Sequence, residues 1–520
     1  MQNLRGNILW VDDEIQHLKP HILFLEEKGY KLKQATNGQD AIALASKNNY
    51  DLILLDQSMP GMDGLATLKE LKKVRSSLLI IMITKTQDEW LMDEAITGQL
   101  EQFLIKPVNP SQIFMACKQA LEKGKLREEK ATSDYLREFQ EIDMRVRSGL
   151  DSDEWWELYD RLVDWQLKFE TYKDTGLDSI LHEQIQTCNK EFVNYISDNY
   201  LSWLSSENHP TFSNDVVQKF VKPILKKDNK VCLLVVDCMR HDQFKAMLPL
   251  LEQYFSVEID YKFSFLPTAT PYSRNAIFCG MYPDEMVGHY PKQKSDMIND
   301  ASSLNQYEHQ FLSDQLQRIG LADKSMHYHK IWAVKEGKKF QGRIKDYIQK
   351  DLLALVVNFI DILAHKSSQM DVLKEMVPDE AGYRAAVRSW LEHSWLLRVL
   401  KSLSENGYTV IMTSDHGSIR VQNDVMVAAD KGASSGVRYK HGRNLNTNEK
   451  NAMIIKDPSK YRLPALGHQP SYVIAKGDNY FVYPNEAHKY QAKFKNSFQH
   501  GGISMEEMMV PVAIMSSKTK

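Results

Sequence analysis

Little in this sequence suggests secretion, membrane insertion or binding to a polyanion. The 520 residues include five cysteines that lack the paired spacing of a disulfide framework: Cys117, Cys188, Cys232, Cys238 and Cys279. No apolar run is long enough to cross a bilayer, and Met1–Arg5 lead straight into a predicted strand rather than a signal peptide. The formal net charge of -3 argues against a basic nucleic-acid binder. These absences predict a protein of the reducing cytoplasm.

The length predicts about two to four domains, because domains commonly have ~100–200 residues. Residues 1–123 and 211–520 alternate short apolar runs with helical patterns, whereas residues 124–210 form long, charged segments rich in tryptophan. We therefore predict an α/β domain, an all-helical linker bundle and a larger, doubly wound α/β domain.

In the first segment, polar residues follow the predicted buried strands Ile8–Val11, Leu52–Leu55 and Leu79–Ile83. These residues are Asp12, Asp13, Asp56, Thr84 and, further on, Lys106. The carboxyl ends of parallel strands meet at one edge of a sheet, and three carboxylates there would repel each other unless a hard cation such as Mg²⁺ joined them. A lysine and a hydroxyl nearby would hold phosphoryl oxygens. The alternative is that the aspartates only cap helices, which the five matching positions disfavour.

Residues 1–123 closely resemble the receiver domain of two-component response regulators. The resemblance depends on Val11–Glu14, Leu55–Gly64, Thr84 and Phe103–Pro107. It implies a flavodoxin-like fold in which Asp56 accepts a phosphoryl group from a sensor histidine kinase.

The same resemblance implies roles for the surrounding residues. Mg²⁺ would be held by Asp12 and Asp13 together with Asp56, and Lys106 would contact the phosphoryl group. Thr84 and Phe103 would form the switch pair that reports phosphorylation. One departure is Lys85, which stands where the family usually has a small residue and could restrict access to Asp56.

Helical spacing of apolar residues predicts helices over Tyr135–Arg147, Trp155–Phe169 and Ile180–Leu204. Four tryptophans in this segment are interpreted as core residues rather than as a ligand cage: Trp155, Trp156, Trp165 and Trp203. Such a spacer could transmit a receiver rearrangement or a dimer contact. No helix-turn-helix signature accompanies it, so DNA binding is not expected.

In the last segment, the predicted strands Lys230–Val236, Leu352–Phe359 and Tyr408–Thr413 each lead to acidic residues or histidines. The residues concerned are Asp237, Asp361, His365, Asp415 and His416, and His500 precedes a further apolar run. A spacing of four would place Asp361 and His365 on one helical face. Each pair alone could be an exposed pair or a loop, but the joint pattern is hard to obtain by chance.

The stretch Leu266–Asn275 reads as a hydroxyl group at the start of a helix. Thr270 is predicted as the N-cap and Pro271 as the first helical residue. Free backbone N–H groups and the helix dipole favour an anion there, and Arg274 could add a cationic contact. The alternative is that Thr270 only caps a structural helix.

Carboxylate and imidazole ligands suit zinc, and two such ions about 4 Å apart can clamp the attacking and leaving oxygens of a phosphoryl displacement. Coordination would also activate a threonine hydroxyl, which is a poor nucleophile at neutral pH. The sequence therefore predicts two Zn²⁺ ions, with other divalent metals as alternatives.

Most of residues 225–515 resemble the alkaline phosphatase superfamily, and more narrowly its PglZ branch. The resemblance rests on Asp237, Pro267–Thr270, the Asp361 to His365 spacing, Asp415–Gly417 and His500–Gly502. It implies that Thr270 is the nucleophile, as in phosphodiesterase members, with Thr268 the weaker candidate. One ion would be bound by Asp237, Asp415 and His416 beside Thr270, and the second by Asp361, His365 and His500.

The order of receiver, helical spacer and PglZ domain resembles a family of response regulators linked to type IX secretion in Bacteroidetes. The resemblance covers the full length. It implies control by a partner kinase, contacts with a sigma factor or a component of the secretion motor, and a homodimer formed on phosphorylation.

Basic residues suggest the substrate. Lys330, Lys335, Lys338, Lys339, Arg343 and Lys345 form one run, and Lys431, Arg438, Lys440, His441 and Arg443 form a loop after the third strand. We expect Arg274, Arg438, Lys440 and Arg443 to contact a nucleotide or a short or cyclic oligonucleotide, unless these are only solvated surface charges. An alternative function is a regulator that uses the metal-binding domain as a docking platform with little turnover.

Overall fold

The computed structural model describes residues 5–75, 77–85, 100–170, 177–291, 306–367, 370–430, 433–465 and 471–518. Lys431 of the predicted basic loop lies outside this part of the chain. The chain divides into two units, one comprising Met1–Met144 and Lys168–Ser179 and the other Arg145–Leu167 and Ile180–Lys520.

The first unit contains a five-stranded parallel sheet in the order β2-β1-β3-β4-β5. Its strands are β1 (Gly6–Val11), β2 (Tyr30–Ala35), β3 (Leu52–Asp56), β4 (Leu79–Thr84) and β5 (Gln102–Ile105). The helices are α1 (Lys19–Glu27), α2 (Gly38–Lys47), α3 (Gly64–Val74) and α4 (Pro110–Ser148). Alternate residues of β1 enter hydrophobic clusters on opposite faces of the sheet, Leu9 on one face and Trp10 on the other. The predicted flavodoxin-like fold is confirmed.

Helix α4 is longer than the sequence pattern predicted. It runs without interruption through Pro110–Ser148, so the domain boundary predicted at residues 123 and 124 falls inside it. Gly124 does not end the helix, because glycine weakens a helix by only about 1 kcal/mol, whereas proline weakens it by about 3 kcal/mol.

The second unit is built on a six-stranded sheet in the order β7-β19-β10-β6-β9-β8. These strands are β6 (Val231–Val236), β7 (Phe255–Phe263), β8 (Met326–Ile331), β9 (Leu352–Val357), β10 (Thr409–Thr413) and β19 (Met509–Ser517). Strands β8, β9, β6 and β10 are parallel, and β19 is antiparallel to β10 and β7.

Three smaller sheets are inserted between β10 and β19. Their strands are β11 (Ile419–Arg420), β12 (Asn423–Ala428), β13 (Tyr439–Gly442), β14 (Asn446–Thr447), β15 (Ala452–Ile455), β16 (Ser471–Ala475), β17 (Asn479–Val482) and β18 (Phe498–Gln499).

Helices surround the main sheet. They are α5 (Ser152–Phe169), α6 (Leu177–Trp203), α7 (Lys222–Leu225), α8 (His241–Leu251), α9 (Thr270–Cys279), α10 (Pro283–His289), α11 (Glu308–Arg318), α12 (Val334–Gly342), α13 (Ile344–Tyr347), α14 (Phe359–Ser367), α15 (Asp371–Met376), α16 (Glu380–His393), α17 (Trp395–Glu405), α18 (Ala487–Phe494) and α19 (Met505–Met508). Among the described helices, none combines the length and the apolar character needed to span a bilayer.

The central strands β6 and β9 are buried along their whole length, as their uninterrupted aliphatic sequences require. In the register of the sheet Val236 lies beside Val357, and Val235 lies beside Thr413. The strand predicted to reach Phe359 ends at Val357, because Phe359 begins helix α14. This earlier end moves Asp361 from a strand end into the first turn of a helix.

The linker helices α5 and α6 pack against this domain through aromatic side chains. Trp155 of α5 contacts Phe192 of α6 with a ring-centroid distance of 5.3 Å, which joins the two linker helices, and Trp203 of α6 contacts Phe263 of β7 at 5.4 Å. Trp165 is also buried, and Trp156 is partly buried against Tyr261. The tryptophans are thus packing residues, as interpreted from the sequence.

A buried ion-pair network supports the start of α8. The Asp242 carboxylate accepts hydrogen bonds from Arg240 Nε at 2.8 Å and from Arg384 Nη1 at 2.6 Å, and all three side chains are buried. Burial alone would raise the pKa of Asp242, but the two guanidinium groups hold it well below its usual range.

We expect Asp242→Ala to lower the free energy of unfolding by about 3–5 kcal/mol, since it leaves two buried arginines without their carboxylate. Urea denaturation followed by tryptophan fluorescence would measure the change. The control is Asp346→Ala, which removes an ion pair with Arg343 in which both side chains are exposed, and should change the midpoint little. Equal effects of the two substitutions would contradict this account.

Candidate functional site

Three neighbouring parallel strands bring their following residues to one edge of the large sheet. Asp237 follows β6, Asp415 and His416 follow β10, and Asp361 and His365 lie on α14 after β9. A further histidine, His500, comes from the loop between β18 and α19. Ligands of open α/β sheets bind at this edge.

Six side chains form two adjoining clusters there. Asp237, Asp415 and His416 each offer one ligand atom, and these three atoms lie within 4.8 Å of one another. Asp361, His365 and His500 meet the same criterion. The clusters adjoin because the rings of His416 and His500 stack with centroids 4.2 Å apart.

Thr270 lies beside the first cluster, with Oγ1 3.2 Å from His416 Nε2. Its place in the helix differs by one residue from the prediction. Ala269 has the extended backbone of the N-cap, so Thr270 is the first helical residue and Pro271 the second. The Thr270 side chain is therefore not the helix cap, and its hydroxyl faces His416.

Thr268, the competing hydroxyl, is engaged elsewhere. It is buried, donates to the Gly502 carbonyl oxygen at 2.8 Å and accepts from the Gly501 N–H at 3.1 Å. These two bonds join the segment before Thr270 to the segment after His500. Thr268 thus has a structural role in the site.

The glycines of this region are required by close packing. Gly501 has a φ of 117°, in the region that favours glycine. A Cβ on Gly502 would lie 2.1 Å from Arg438 Nη2, and one on Gly417 would lie 1.9 Å from the Glu506 carbonyl oxygen. Both side chains would clash, so the His-Gly-Gly and Asp-His-Gly sequences are needed to bring these loops together.

Backbone carbonyls fix the histidine tautomers. His416 Nδ1 lies 3.0 Å from the Gly417 carbonyl oxygen, and His500 Nδ1 lies 3.3 Å from that of Thr268. A carbonyl oxygen only accepts, so each Nδ1 carries the proton and each Nε2 keeps its lone pair in the neutral ring. Burial, and then electrostatic interactions with His416 and His365, lower the pKa of His500 to about 3, so its ring is neutral at pH 7.

The carboxylates differ in their electrostatics. Burial raises the pKa of Asp237, and Asp415 and Asp361 raise it further, against the opposing charge of Arg274. Burial would also raise the pKa of Asp415, but electrostatic interactions with His416 and Arg274 lower it. The clustered negative charge is therefore only partly balanced by protein groups.

The residues present fit divalent metal ions. Among the described residues, three buried oxygens of these clusters lack a hydrogen-bond partner: Asp237 Oδ1, Asp361 Oδ1 and Asp415 Oδ2. Leaving such oxygens unpaired is costly, and a cation shared with an imidazole nitrogen would satisfy them. Two sets of carboxylate and imidazole donors match the preference of zinc.

Arg274 does not occupy the position predicted for a substrate contact. It is buried, donating from Nη1 to Asp237 Oδ2 at 2.5 Å and from Nε to Glu308 Oε1 at 2.7 Å. Its guanidinium thus orients an acid of the first cluster. The substrate-binding prediction for Arg274 is wrong in this structure, because the burial of a cation depends on a partner distant in sequence.

The predicted substrate contacts of the basic loop also need correction. Arg438 is buried, with Nε 3.1 Å from Glu507 Oε1. Lys440 is also buried, donates to the Ser434 carbonyl oxygen at 3.2 Å and lies over the Tyr483 ring at 4.5 Å. Their burial contradicts the predicted contact with substrate. Arg443 is exposed, and its substrate contact stays a prediction.

Two supporting residues escaped the sequence analysis. Asn358 donates to Asp237 Oδ2 at 2.5 Å, and Glu507 accepts from the Gly502 N–H at 2.8 Å. Asn358 directly follows the buried strand β9, so the rule that found Asp237 could have found it. Glu507 carried no comparable signal.

The first unit contains a second acidic cluster, at the carboxyl edge of its own sheet. Ligand atoms of Asp12, Asp13 and Asp56 lie within 4.8 Å of one another, and Lys106 Nζ lies 3.0 Å from Asp12 and 2.9 Å from Asp56. Burial raises the pKa of Asp56, although Lys106 opposes the shift. The arrangement suits a divalent cation with oxygen ligands.

The predicted switch residues lie on neighbouring strands of this sheet. Thr84 is buried at the end of β4, and Phe103 is partly buried in β5. Lys85, directly after Thr84, is exposed. Its effect on access to Asp56 stays a prediction.

Three family models match successive segments of the chain. Residues 8–118 match the family model of the response regulator receiver domain, and residues 125–204 match that of the PorX response regulator linker domain. Residues 216–515 match the BREX system PglZ alkaline phosphatase-like domain.

Curated relatives match through the receiver segment. The transcriptional regulatory protein ResD of Bacillus subtilis is 33% identical over 123 residues, which are 24% of this chain and 51% of ResD. SrrA of Staphylococcus aureus is 32% identical over 118 residues, covering 23% of this chain and 48% of SrrA. The chain thus spans about half the length of these relatives.

Among solved structures, a CheY-like receiver domain protein from Methanospirillum hungatei is 26% identical. The match covers 23% of this chain and 97% of that one, with a TM-score of 0.22.

The PglZ match alone covers more than half of the chain, and it contains both clusters and Thr270. A receiver and a PorX linker domain precede it in the order of a PorX-type response regulator. The chain therefore belongs to the PglZ family of alkaline phosphatase-like proteins.

Proposed function

We propose that this protein is a response regulator whose output domain is a phosphodiesterase that uses two metal ions, with Thr270 as the nucleophile. The observation that carries the proposal is the position of the Thr270 hydroxyl, 3.2 Å from His416 Nε2 and beside two adjoining sets of metal-binding side chains. A scaffold has no physical need for a hydroxyl group at this point.

Each cluster has a defined part in the proposed reaction. Asp237, Asp415 and His416 would hold one ion beside Thr270, and Asp361, His365 and His500 would hold the second. Zinc, when bound, supplies Lewis acidity that favours the ionised threonine oxygen and the departing oxygen. The protein supplies the imidazoles of His416 and His500, whose Nδ1 atoms face backbone carbonyls, and an Asp237 carboxylate oriented by Arg274 and Asn358.

The reaction proceeds in two displacements. The Thr270 Oγ1 gives up its proton to solvent and forms a bond to phosphorus, while the bond from phosphorus to the leaving alcohol breaks and the alcohol takes up a proton from solvent. Water then attacks the phosphorus of the resulting threonyl diester, which keeps the second ester group, and the bond from phosphorus to Oγ1 breaks and restores the hydroxyl. The product is a phosphate monoester.

The ion pairs of Arg274 with two acidic side chains support a phosphate diester as the substrate. A phosphate monoester carries more negative charge and needs an additional cationic contact. Arg274, one turn after Thr270, is already paired with Asp237 and Glu308. We infer a nucleotide or a short or cyclic oligonucleotide as the substrate, with exposed cations such as Arg443 as its contacts.

The receiver would control this output. A sensor histidine kinase phosphorylates Asp56 in the presence of Mg²⁺, and Thr84 and Phe103 report the change. By analogy with PorX-type regulators, we propose a cytoplasmic protein that regulates type IX secretion, binds a sigma factor or a motor component, and forms homodimers on phosphorylation.

We expect purified protein loaded with zinc to hydrolyse an aryl phosphodiester and a short oligonucleotide. Thr270→Val, which removes the hydroxyl but keeps the shape, should lower kcat at least about 1,000-fold, whereas Thr270→Ser should keep a measurable fraction. Initial rates with and without a chelator measure both effects. A wild-type rate equal to that of Thr270→Val would favour the docking platform with little turnover.

Metal content tests the two clusters separately. After zinc loading and desalting, elemental analysis should find about two ions per wild-type chain and about one in either Asp237→Asn or His365→Ala. His393→Ala, on an exposed histidine outside both clusters, is the matched control and should keep both ions. Loss of zinc in the control, or none in the two variants, would refute the assignment.

Phosphorylation at Asp56 can be tested with acetyl phosphate and Mg²⁺. Intact mass spectrometry should detect one added phosphoryl group in the wild type and none in Asp56→Asn. Asp63→Asn, in the loop that follows β3 but outside the acidic cluster, should still be phosphorylated. Labelling that survives Asp56→Asn would place the phosphorylation site elsewhere.

A further inference from the structure

Helix α6 of the linker donates and accepts hydrogen bonds at two loops of the candidate site. The Tyr200 hydroxyl oxygen accepts from the backbone N–H of Leu266 at 2.9 Å. Asn189 Oδ1 accepts from the backbone N–H of Met505 at 2.8 Å, and Asn189 Nδ2 donates to the Glu506 carboxylate at 2.9 Å. Both linker side chains are buried.

These two loops carry the reactive residues. Leu266 precedes Thr270 by four residues, and Met505 follows His500 by five. Thr268 ties the loops together through its bonds to Gly501 and Gly502. Because each loop is held by α6 as well as by the other loop, the distance between Thr270 and His500 depends on the linker helix.

Helix α5 makes a related contact. Asp160 Oδ1 lies 2.6 Å from His241 Nε2 and 2.7 Å from Lys245 Nζ. Trp156 covers the His241 ring with centroids 4.4 Å apart. His241 begins α8, four residues after Asp237. The linker thus also contacts the start of α8, directly after the loop that carries Asp237, another predicted metal ligand.

We propose that Tyr200 and Asn189 are positioning residues of the hydrolytic site, so that the catalytic unit includes the linker helices α5 and α6. This inference rests on the proposed function. Tyr200 fixes the segment that delivers Thr270, and Asn189 fixes the segment that follows His500. The catalytic unit therefore begins upstream of residue 216, where the match to the PglZ family begins.

Tyr200 is expected to position this segment because a buried backbone N–H group needs a hydrogen-bond acceptor. The N–H of Leu266 is buried, and the next residue, Pro267, has no N–H to offer. Removing the Tyr200 hydroxyl leaves the Leu266 donor without an acceptor, so the segment must shift to regain one. A shift of about 1 Å at a nucleophile can reduce the rate about 100-fold.

The test compares two tyrosines of the same helix. Tyr200→Phe should lower kcat about tenfold while KM and zinc content stay within about twofold of wild type. The matched control, Tyr195→Phe, removes a hydroxyl from a residue that packs among Trp155, Phe192 and Trp203. It should leave kcat unchanged.

A second pair of variants tests Asn189. Asn189→Ala removes both bonds and should lower kcat by a similar factor. Glu506→Gln keeps an oxygen that accepts from the Asn189 amide, and should retain most of the activity. If Tyr200→Phe and Asn189→Ala keep wild-type kcat, the inference is wrong. It is also wrong if kcat falls as much in Tyr195→Phe, since the effect would then be one of general stability.

Hydrogen exchange gives a readout that does not depend on turnover. The backbone amide of Leu266 should exchange faster in Tyr200→Phe than in the wild type or in Tyr195→Phe, as measured by mass spectrometry of the peptide covering Ser264–Thr270. An inactive wild-type enzyme would refute the proposed function, and the exchange rates would still decide whether Tyr200 holds this segment. Unchanged exchange in Tyr200→Phe would overturn the inference.

Discussion

The second unit depends on bringing like-charged carboxylates together, out of water, at the edge of one sheet. Asp237, Asp361 and Asp415 are drawn together by the register of parallel strands whose aliphatic sequences fix them in the core. Burying charge of one sign is costly unless cations or hydrogen-bond donors balance it. Many of the surrounding side chains supply the positive charge or the hydrogen-bond donors that these carboxylates need.

Protein groups donate hydrogen bonds to one carboxylate oxygen of Asp237 but not to the other. Asp237 Oδ2 accepts from Arg274 and Asn358, whereas Asp237 Oδ1 accepts no hydrogen bond from the part of the chain that the structure describes. The two nitrogens of His416 and of His500 also differ in their partners. Nδ1 donates a hydrogen bond to a backbone carbonyl oxygen, and Nε2 faces the cluster. Such polarised groups are arranged for cations, and they explain why a hydroxyl beside them would be reactive.

Much of the fold could be predicted from sequence, because buried parallel strands have a distinctive composition. The aliphatic runs of β1, β3, β6 and β9 predicted sheets with ligands at their carboxyl ends, and polar residues after those runs predicted which side chains would meet. The course of the helices depends more on tertiary packing. Helix α4 crosses the expected boundary because nothing within it is incompatible with a helix.

The roles of cations were harder to predict than those of acids. Arg274 and Arg438 look like anion-binding residues in sequence, yet each is buried against a glutamate, Glu308 and Glu507 respectively. A strand end predicts where an aspartate will lie, but the burial of an arginine depends on which partner the fold brings to it. No local pattern identifies a partner 34 or 69 residues away.

The same reasoning underlies the proposal that a helical linker positions the candidate site. The loops at the carboxyl edge hold Thr270 and His500 through backbone groups, and buried backbone groups need partners from some neighbouring element. Here the neighbour is α6, whose aromatic face packs against β7 through Trp203 and Phe263, while Tyr200 and Asn189 reach the loops. Helix α6 therefore both packs against the sheet and holds the two loops. A shift of this helix would change the distances between the residues of the site.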